Sequence, residues 1–152
     1  MAHVLVFAGG IGARMKSNDI PKQFIDVDGK PIIIRTLEHF ANHPQVEDIV
    51  ISCLAEKIDY LKMLIAKHNV GKVVSVVPGG ANGHQSIHNG LVEIEKNSKP
   101  EDIVLICDGV RPMLSQKLIS DCIETAMAHE TAVPVTPSID SVLESPDGET
   151  CC

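Results

Sequence analysis

The sequence predicts an α/β fold: a Rossmann-like, mostly parallel sheet with helices on both faces. Three observations predict it. Short aliphatic runs alternate with longer amphipathic stretches, and strands separated by helices need crossovers that leave the strands parallel. The core is aliphatic, because 152 residues include no Trp, one Tyr and three Phe, which suits a sheet covered on both sides. Three of the runs end in glycine-rich or charged loops, at the strand ends where open parallel sheets hold ligands.

The first run, Val4 to Ala8, reads as a buried strand breaking at Gly9-Gly10-x-Gly12, with Arg14, Lys16 and Lys22 beyond it. Glycines there let backbone N–H groups approach an anion that a Cβ would hold off. Cations just past the loop suggest that the anion is a polyphosphate. Ile25 to Lys30 reads as a hairpin turning at Asp28-Gly29. Pro31 then suits the first turn of a helix, with Ile33, Leu37, Phe40 and Ala41 at helical spacing and Asn42-His43-Pro44 closing it.

Asp48 to Leu54 is the second strand, followed by an amphipathic helix from Glu56 to His68 with Ile58, Leu61, Leu64 and Ile65 on one face. Lys72 to Val77 is the third strand and runs into Pro78-Gly79-Gly80. A helix from about His84 turns Ile87, Leu91 and Ile94 inward and fades at Asn97 to Pro100. Asp102 to Cys107 is the fourth strand, ending at Asp108-Gly109-Val110-Arg111-Pro112. Leu114, Leu118, Ile119, Cys122, Ile123 and Ala126 mark a long helix. Thr131 to Val135 is expected to be a fifth strand and Ser141 to Leu143 another.

Length and composition predict one domain over residues 1–152, with no repeat, low-complexity tract or internal linker. A net charge of −7 argues against generic nucleic-acid or anionic-membrane binding. No stretch approaches the roughly 20 apolar residues of a membrane span, and no signal peptide precedes the glycines. Five cysteines, Cys53, Cys107, Cys122, Cys151 and Cys152, form no C-x-x-C pair, so a zinc ribbon or thioredoxin motif is not expected. A reducing cytoplasm is the simplest setting.

The loops after the first, third and fourth strands share one rim in an open parallel sheet, so they could converge on one pocket. The P-loop pattern is absent, and a dinucleotide fingerprint would need a glycine at Met15 and an uninterrupted helix where Pro21 stands. A plain glycine turn with surface cations is the competing reading of the first loop.

The segments AGGIGARM, PKQF, GG…SIHNGL and CDGVRP, in this order along nearly the whole chain, resemble the cytidylyltransferase family that includes 2-C-methyl-D-erythritol 4-phosphate and ribitol-5-phosphate cytidylyltransferases. The resemblance implies a fold of the nucleotide-diphospho-sugar transferase type. It also implies a Mg²⁺-dependent reaction of CTP with a small polyol phosphate, giving a CDP-alcohol and pyrophosphate. Arg14 and Lys22 match the cations that grip the triphosphate, and the backbone from Ala8 through Gly9, Gly10 and Gly12 matches its cradle. Gly79, Gly80 and Ser86 match positions around the cytosine and ribose, and Asp108 matches the carboxylate near Mg²⁺. Arg111 matches a residue holding the incoming phosphate, and Asp140-Ser141 stands where the family usually has Asp-Thr beside the second substrate.

The departures are informative. Gly83 stands where the erythritol-phosphate enzymes usually carry arginine, and Cys107 where they carry histidine. The form GGANGHQSIHNGL is closer to the ribitol-phosphate branch. Family members continue past residue 152 into a swapped dimerisation arm and further basic residues. The resemblance therefore implies a C-terminally truncated domain and a homodimer in the full-length form. The alternative is a catalytically incomplete CTP-binding fragment.

Each residue also has a bland role. Asp108 could cap its turn, Ser86 could serve only the helix N-terminus, and Arg111 could pair with a surface carboxylate. His39 with His43, and His84 with His88, read as solvated helix faces, because neither pair has a third ligand at suitable spacing. Cys107 reads as a small apolar residue.

Overall fold

The computed structural model describes residues 1–10 and 20–137. At the centre of these residues is a four-stranded, wholly parallel sheet. The strands are β1 (Ala2–Ala8), β4 (Val46–Cys53), β5 (Val73–Pro78) and β6 (Ile103–Asp108). A small hairpin, β2 (Asp26–Val27) with β3 (Lys30–Pro31), turns through Asp28 and Gly29, both at positive φ. The turn expected there is present.

Among the described residues the α-helices are α1 (Ile32–Ala41), α2 (Ile58–Lys67), α3 (Gly83–Glu95) and α4 (Gln116–His129). Each starts or stops where local chemistry directs. Asn82 Oδ1 accepts from Gln85 N at 2.9 Å to cap α3, and Ser115 Oγ accepts from Leu118 N at 3.1 Å to cap α4. Pro31, which has no N–H to leave unpaired, sits immediately before α1.

Strand order explains the two layers. The chain moves from β1 to β4 to β5 in one direction, then returns past β1 to β6 on the other side. Right-handed crossovers in opposite directions place their helices on opposite faces. The larger core accordingly joins Val4, Val6, Ile49 and Ile51 to Ile33 and Leu37 of α1, Leu61 of α2, and Ile119 and Ile123 of α4. The smaller core sets Leu5 and Val50 against Ile94 of α3. Helix α3 lies so close to β1 that a Cβ at Gly90 would overlap Leu5 Cδ1. The helices on both faces agree with the fold class read from the sequence.

Three expectations need correction or limits. Thr131 to Val135 forms no strand. It follows the left-handed residue Glu130 (φ 68°) at the end of α4, and Val133 and Val135 point into solvent at 79% and 85% exposure. Pro134 supplies no N–H for a ladder. Ser141 to Leu143 lies outside the described residues. His43 is not on a solvated helix face: α1 has ended, and its ring turns inward to 1% exposure, with Nε2 3.0 Å from Ser120 Oγ. His84 and His88 are exposed as expected.

No helix among the described residues is long and apolar enough to cross a membrane. At the N-terminal end of the strands, His3 is 3% exposed and bridges Asp48 and Asp102.

Candidate active site

The strand register brings three loops together. Phe7, next to last in β1, lies opposite Ser52 of β4 and Asp108 of β6, and Cys53 pairs with Pro78 of β5. The segments beginning at Gly9, Gly79 and Gly109 therefore leave the sheet at one level. The change of direction between β1 and β6 marks this rim as the topological switch point, where α/β sheets hold ligands.

The first loop is held by a residue that the motif reading passed over. Lys22 to Phe24 form a short 3₁₀ turn. Phe24 is buried in the larger core, edge-on to Tyr60 with ring centroids 5.2 Å apart. Gln23 is 3% exposed, and its Nε2 donates to Ala8 O at 2.8 Å and Gly10 O at 3.2 Å. Lys22 remains exposed beside them. The available signal was the position of Gln23 between the lysine and a core aromatic in PKQF.

The third-strand loop is braced from α3. Ser86 Oγ accepts from Gly80 N at 3.0 Å and donates to Asn82 O at 2.9 Å, leaving the residue 2% exposed. A Cβ at Gly9 would stand 3.0 Å from that oxygen, and one at Gly79 3.1 Å. Ser86 thus sits where the loops after β1 and β5 meet, and side chains at either glycine would push them apart. It is a brace between loops, and the helix cap is Asn82. Beneath Gly79, Ser52 Oγ is buried with no hydrogen-bond partner among the described residues.

The loop after β6 is held from β1 and α1. Gly109 N donates to Phe7 O at 3.0 Å, and Thr36 Oγ1 lies 3.1 Å from Gly109 O. His39 Nε2 is 2.8 Å from Pro112 O, so that nitrogen carries the proton. Thr36 escapes the sequence reading, and His39, expected on a solvated helix face, is instead half-buried against this loop, since the partners of both lie 73 residues away. Arg111 is exposed within this loop. Asp108 is half-buried, and its Oδ1 accepts from Val110 N at 3.2 Å. This is the turn-capping bond expected of the bland reading, yet it engages only one carboxylate oxygen.

Cys107 is a poor nucleophile. Burial first, then the Asp108 charge, pushes its thiol up to about 11 against an opposing effect from Arg111. The thiol is neutral near pH 7.

Among the predicted residues, Ala8, Gly9, Gly10, Lys22, Gly79, Gly80, Ser86, Asp108 and Arg111 belong to this rim or the turn tied to it. Gly12, Arg14, Asp140 and Ser141 lie outside the described residues. Two surface hollows of about 540 Å³ lie elsewhere, one along β5 and α2 and one between β6, α4 and residues 131–134. The first is lined by no residue of the three loops, and the second by Leu114 alone among them.

Fold and rim together define a class: an α/β protein with glycine loops at the switch point of a parallel sheet. Residues 2–150 match the profile of the IspD family, 2-C-methyl-D-erythritol 4-phosphate cytidylyltransferase. The chain belongs to this family.

A ribitol-5-phosphate cytidylyltransferase from Vibrio parahaemolyticus is 42% identical over 137 residues, covering 90% of this chain and 58% of that protein. One from Streptococcus agalactiae is 37% identical over 139 residues, covering 91% and 58%. The chain thus spans 58% of the length of these curated relatives. Among solved structures, 4-diphosphocytidyl-2C-methyl-D-erythritol synthase from Anaerococcus prevotii superposes with a TM-score of 0.77 at 23% identity, over 99% of this chain and 61% of that one. That likeness establishes the shared fold.

Proposed function

We propose that this protein is a cytidylyltransferase that transfers CMP from CTP to a small polyol phosphate and releases pyrophosphate. The observation that carries the reading is the meeting of three loops at the switch point, with Lys22 tied to the glycine loop through Gln23. Ribitol 5-phosphate is the favoured acceptor, because the relatives at 42% and 37% identity bear that name. 2-C-methyl-D-erythritol 4-phosphate, named by the family, is the other candidate.

In this reading a phosphate oxygen of the acceptor attacks the α-phosphorus of CTP. A new P–O bond forms as the bond to the bridging oxygen breaks, and that electron pair leaves with pyrophosphate. Backbone N–H groups of the Gly9 loop and the cations Lys22 and Arg14 stabilise charge on the triphosphate. Arg111 offers a planar fork of donors to the acceptor phosphate.

The residues present fit a hard cation shared with substrate phosphates. Asp108 keeps Oδ2 outside the described hydrogen bonds, and the described residues contain no cluster of three side chains that could cage a metal alone. A Mg²⁺ ion held by one carboxylate and the nucleotide would neutralise phosphate charge.

A second reading is a unit that binds CTP without turnover. We include in the proposal a cytoplasmic setting and a homodimer in the full-length form. Pyrophosphate release with CTP, Mg²⁺ and each polyol phosphate tests the function and identifies the acceptor. CTP binding without pyrophosphate supports the second reading, and absence of CTP binding rejects both. Light scattering of the full-length protein tests the dimer.

A further inference from the structure

We propose that Gln23 is a positioning residue that sets Lys22 in register with the glycine loop after β1. The proposal rests on the cytidylyltransferase reading and extends it to a side chain turned away from solvent.

The geometry is that of a clamp with two ends. On one side Phe24 is fixed in the core, and the turn is closed by Phe24 N to Pro21 O at 2.9 Å and Ile25 N to Lys22 O at 3.2 Å. On the other side the Gln23 carboxamide donates to the carbonyls of Ala8 and Gly10, which flank Gly9. A trans peptide points its C=O and N–H in opposite directions. Tying Ala8 O to Gln23 therefore turns the Gly9 N–H away from it. One amide fixes both the orientation of a loop N–H and the place from which the Lys22 side chain starts.

Few side chains could do this. The site needs two donated protons, no net charge and about four bonds of reach. Asn is one methylene short. Glu at neutral pH would set a carboxylate against two carbonyl oxygens, and Met would leave both carbonyls without the donor. A glutamine serving only the fold would weaken CTP binding equally whether or not Lys22 is present.

The test is a double-mutant cycle on CTP affinity, measured calorimetrically with Mg²⁺ for the wild type, Gln23→Met, Lys22→Met and the double variant. Each single substitution is expected to weaken CTP binding by about tenfold, and the double to be within about twofold of Lys22→Met. Equal losses for Gln23→Met in both backgrounds overturn the proposal, as does an unchanged affinity in the wild-type background. A folded wild type that binds no CTP overturns the function itself, and is recognised before any variant is made. If Gln23→Met does not melt cooperatively, Gln23→Glu carries the test. Burial against two carbonyls raises a carboxyl pKa. The loss of this variant relative to wild type should therefore shrink in part as pH is lowered from about 7.5 to about 5 and the carboxyl regains one proton to donate. A constant ratio across that range overturns the proposal.

Discussion

His3 Nδ1 lies 2.8 Å from Asp48 Oδ1, joining β1 to β4 at the end of the sheet opposite the candidate site. Its Nε2 faces Asp102 at 3.3 Å, and Asp102 also accepts from Lys99 N and the Met1 ammonium. Burial, the largest single influence, lowers the His3 pKa, but the hydrogen bonds and charges of Asp48 and Asp102 together raise it above its ordinary 6.5. Asp102 is shifted below 3.8, chiefly by the Lys99 backbone N–H and then by the N-terminus.

These shifts fix a direction. A raised histidine pKa contributes stability that is complete below about pH 6.5 and is lost as pH rises through the folded value. A lowered carboxylate pKa contributes stability above about pH 3.8 that is lost as pH falls. The protein should therefore melt at a lower temperature at pH 8.5 than at pH 6, and His3→Gln should remove most of that difference. Equal slopes for wild type and variant would assign the dependence to other groups.

Ser86→Ala should damage the site more than the surrounding fold. It removes the acceptor of Gly80 N while keeping the helix cap at Asn82. Leaving a part-buried N–H without its partner costs about 1–3 kcal/mol. A modest drop in melting temperature with a larger loss of CTP affinity is expected. Unchanged affinity would mean that the loop keeps its shape without the brace.

How far the sequence reveals these relationships depends on their range. The β1, β4, β5 and β6 segments are legible because aliphatic runs report buried strands locally. The Asp28-Gly29 turn is legible because both residues suit positive φ. Thr131 to Val135 misleads, since its valines resemble a strand while Pro134 offers no N–H to a ladder. Gln23, Thr36 and His39 are invisible to periodicity, as each acts through a carbonyl distant in sequence. His43 misleads in another way: the i, i+4 spacing from His39 carries helical periodicity two residues past Ala41, where α1 ends. The glycine loops are legible individually, but only strand register shows that Gly9 and Gly79 meet at Ser86.

Ser52 offers a substitution expected to do no harm. Its hydroxyl is buried without a partner among the described residues, so the oxygen is desolvated without recorded compensation. Ser52→Ala should leave the melting temperature unchanged or raise it, by up to about 1–3 kcal/mol of stability. A clear loss of stability would reveal a partner for the hydroxyl, and a loss of CTP affinity alone would place that partner in the nucleotide.

Gly90 tests how closely α3 is seated on the sheet. In an exposed helix, Gly→Ala gains roughly 0.8–1 kcal/mol from propensity. Here the added methyl would overlap Leu5 Cδ1, and Leu5 of β1 is fully buried beneath α3. Overpacking a filled core costs about 1–3 kcal/mol, so the steric effect should win. Gly90→Ala is expected to lower stability in chemical denaturation. Because α3 also carries Ser86, a lift of the helix should loosen Gly80 and weaken CTP binding. Adding Leu5→Val, which shortens the side chain under the new methyl, should recover part of both losses. A stabilised Gly90→Ala protein would show that α3 can shift outward at little cost, and would separate the seating of the helix from the shape of the site.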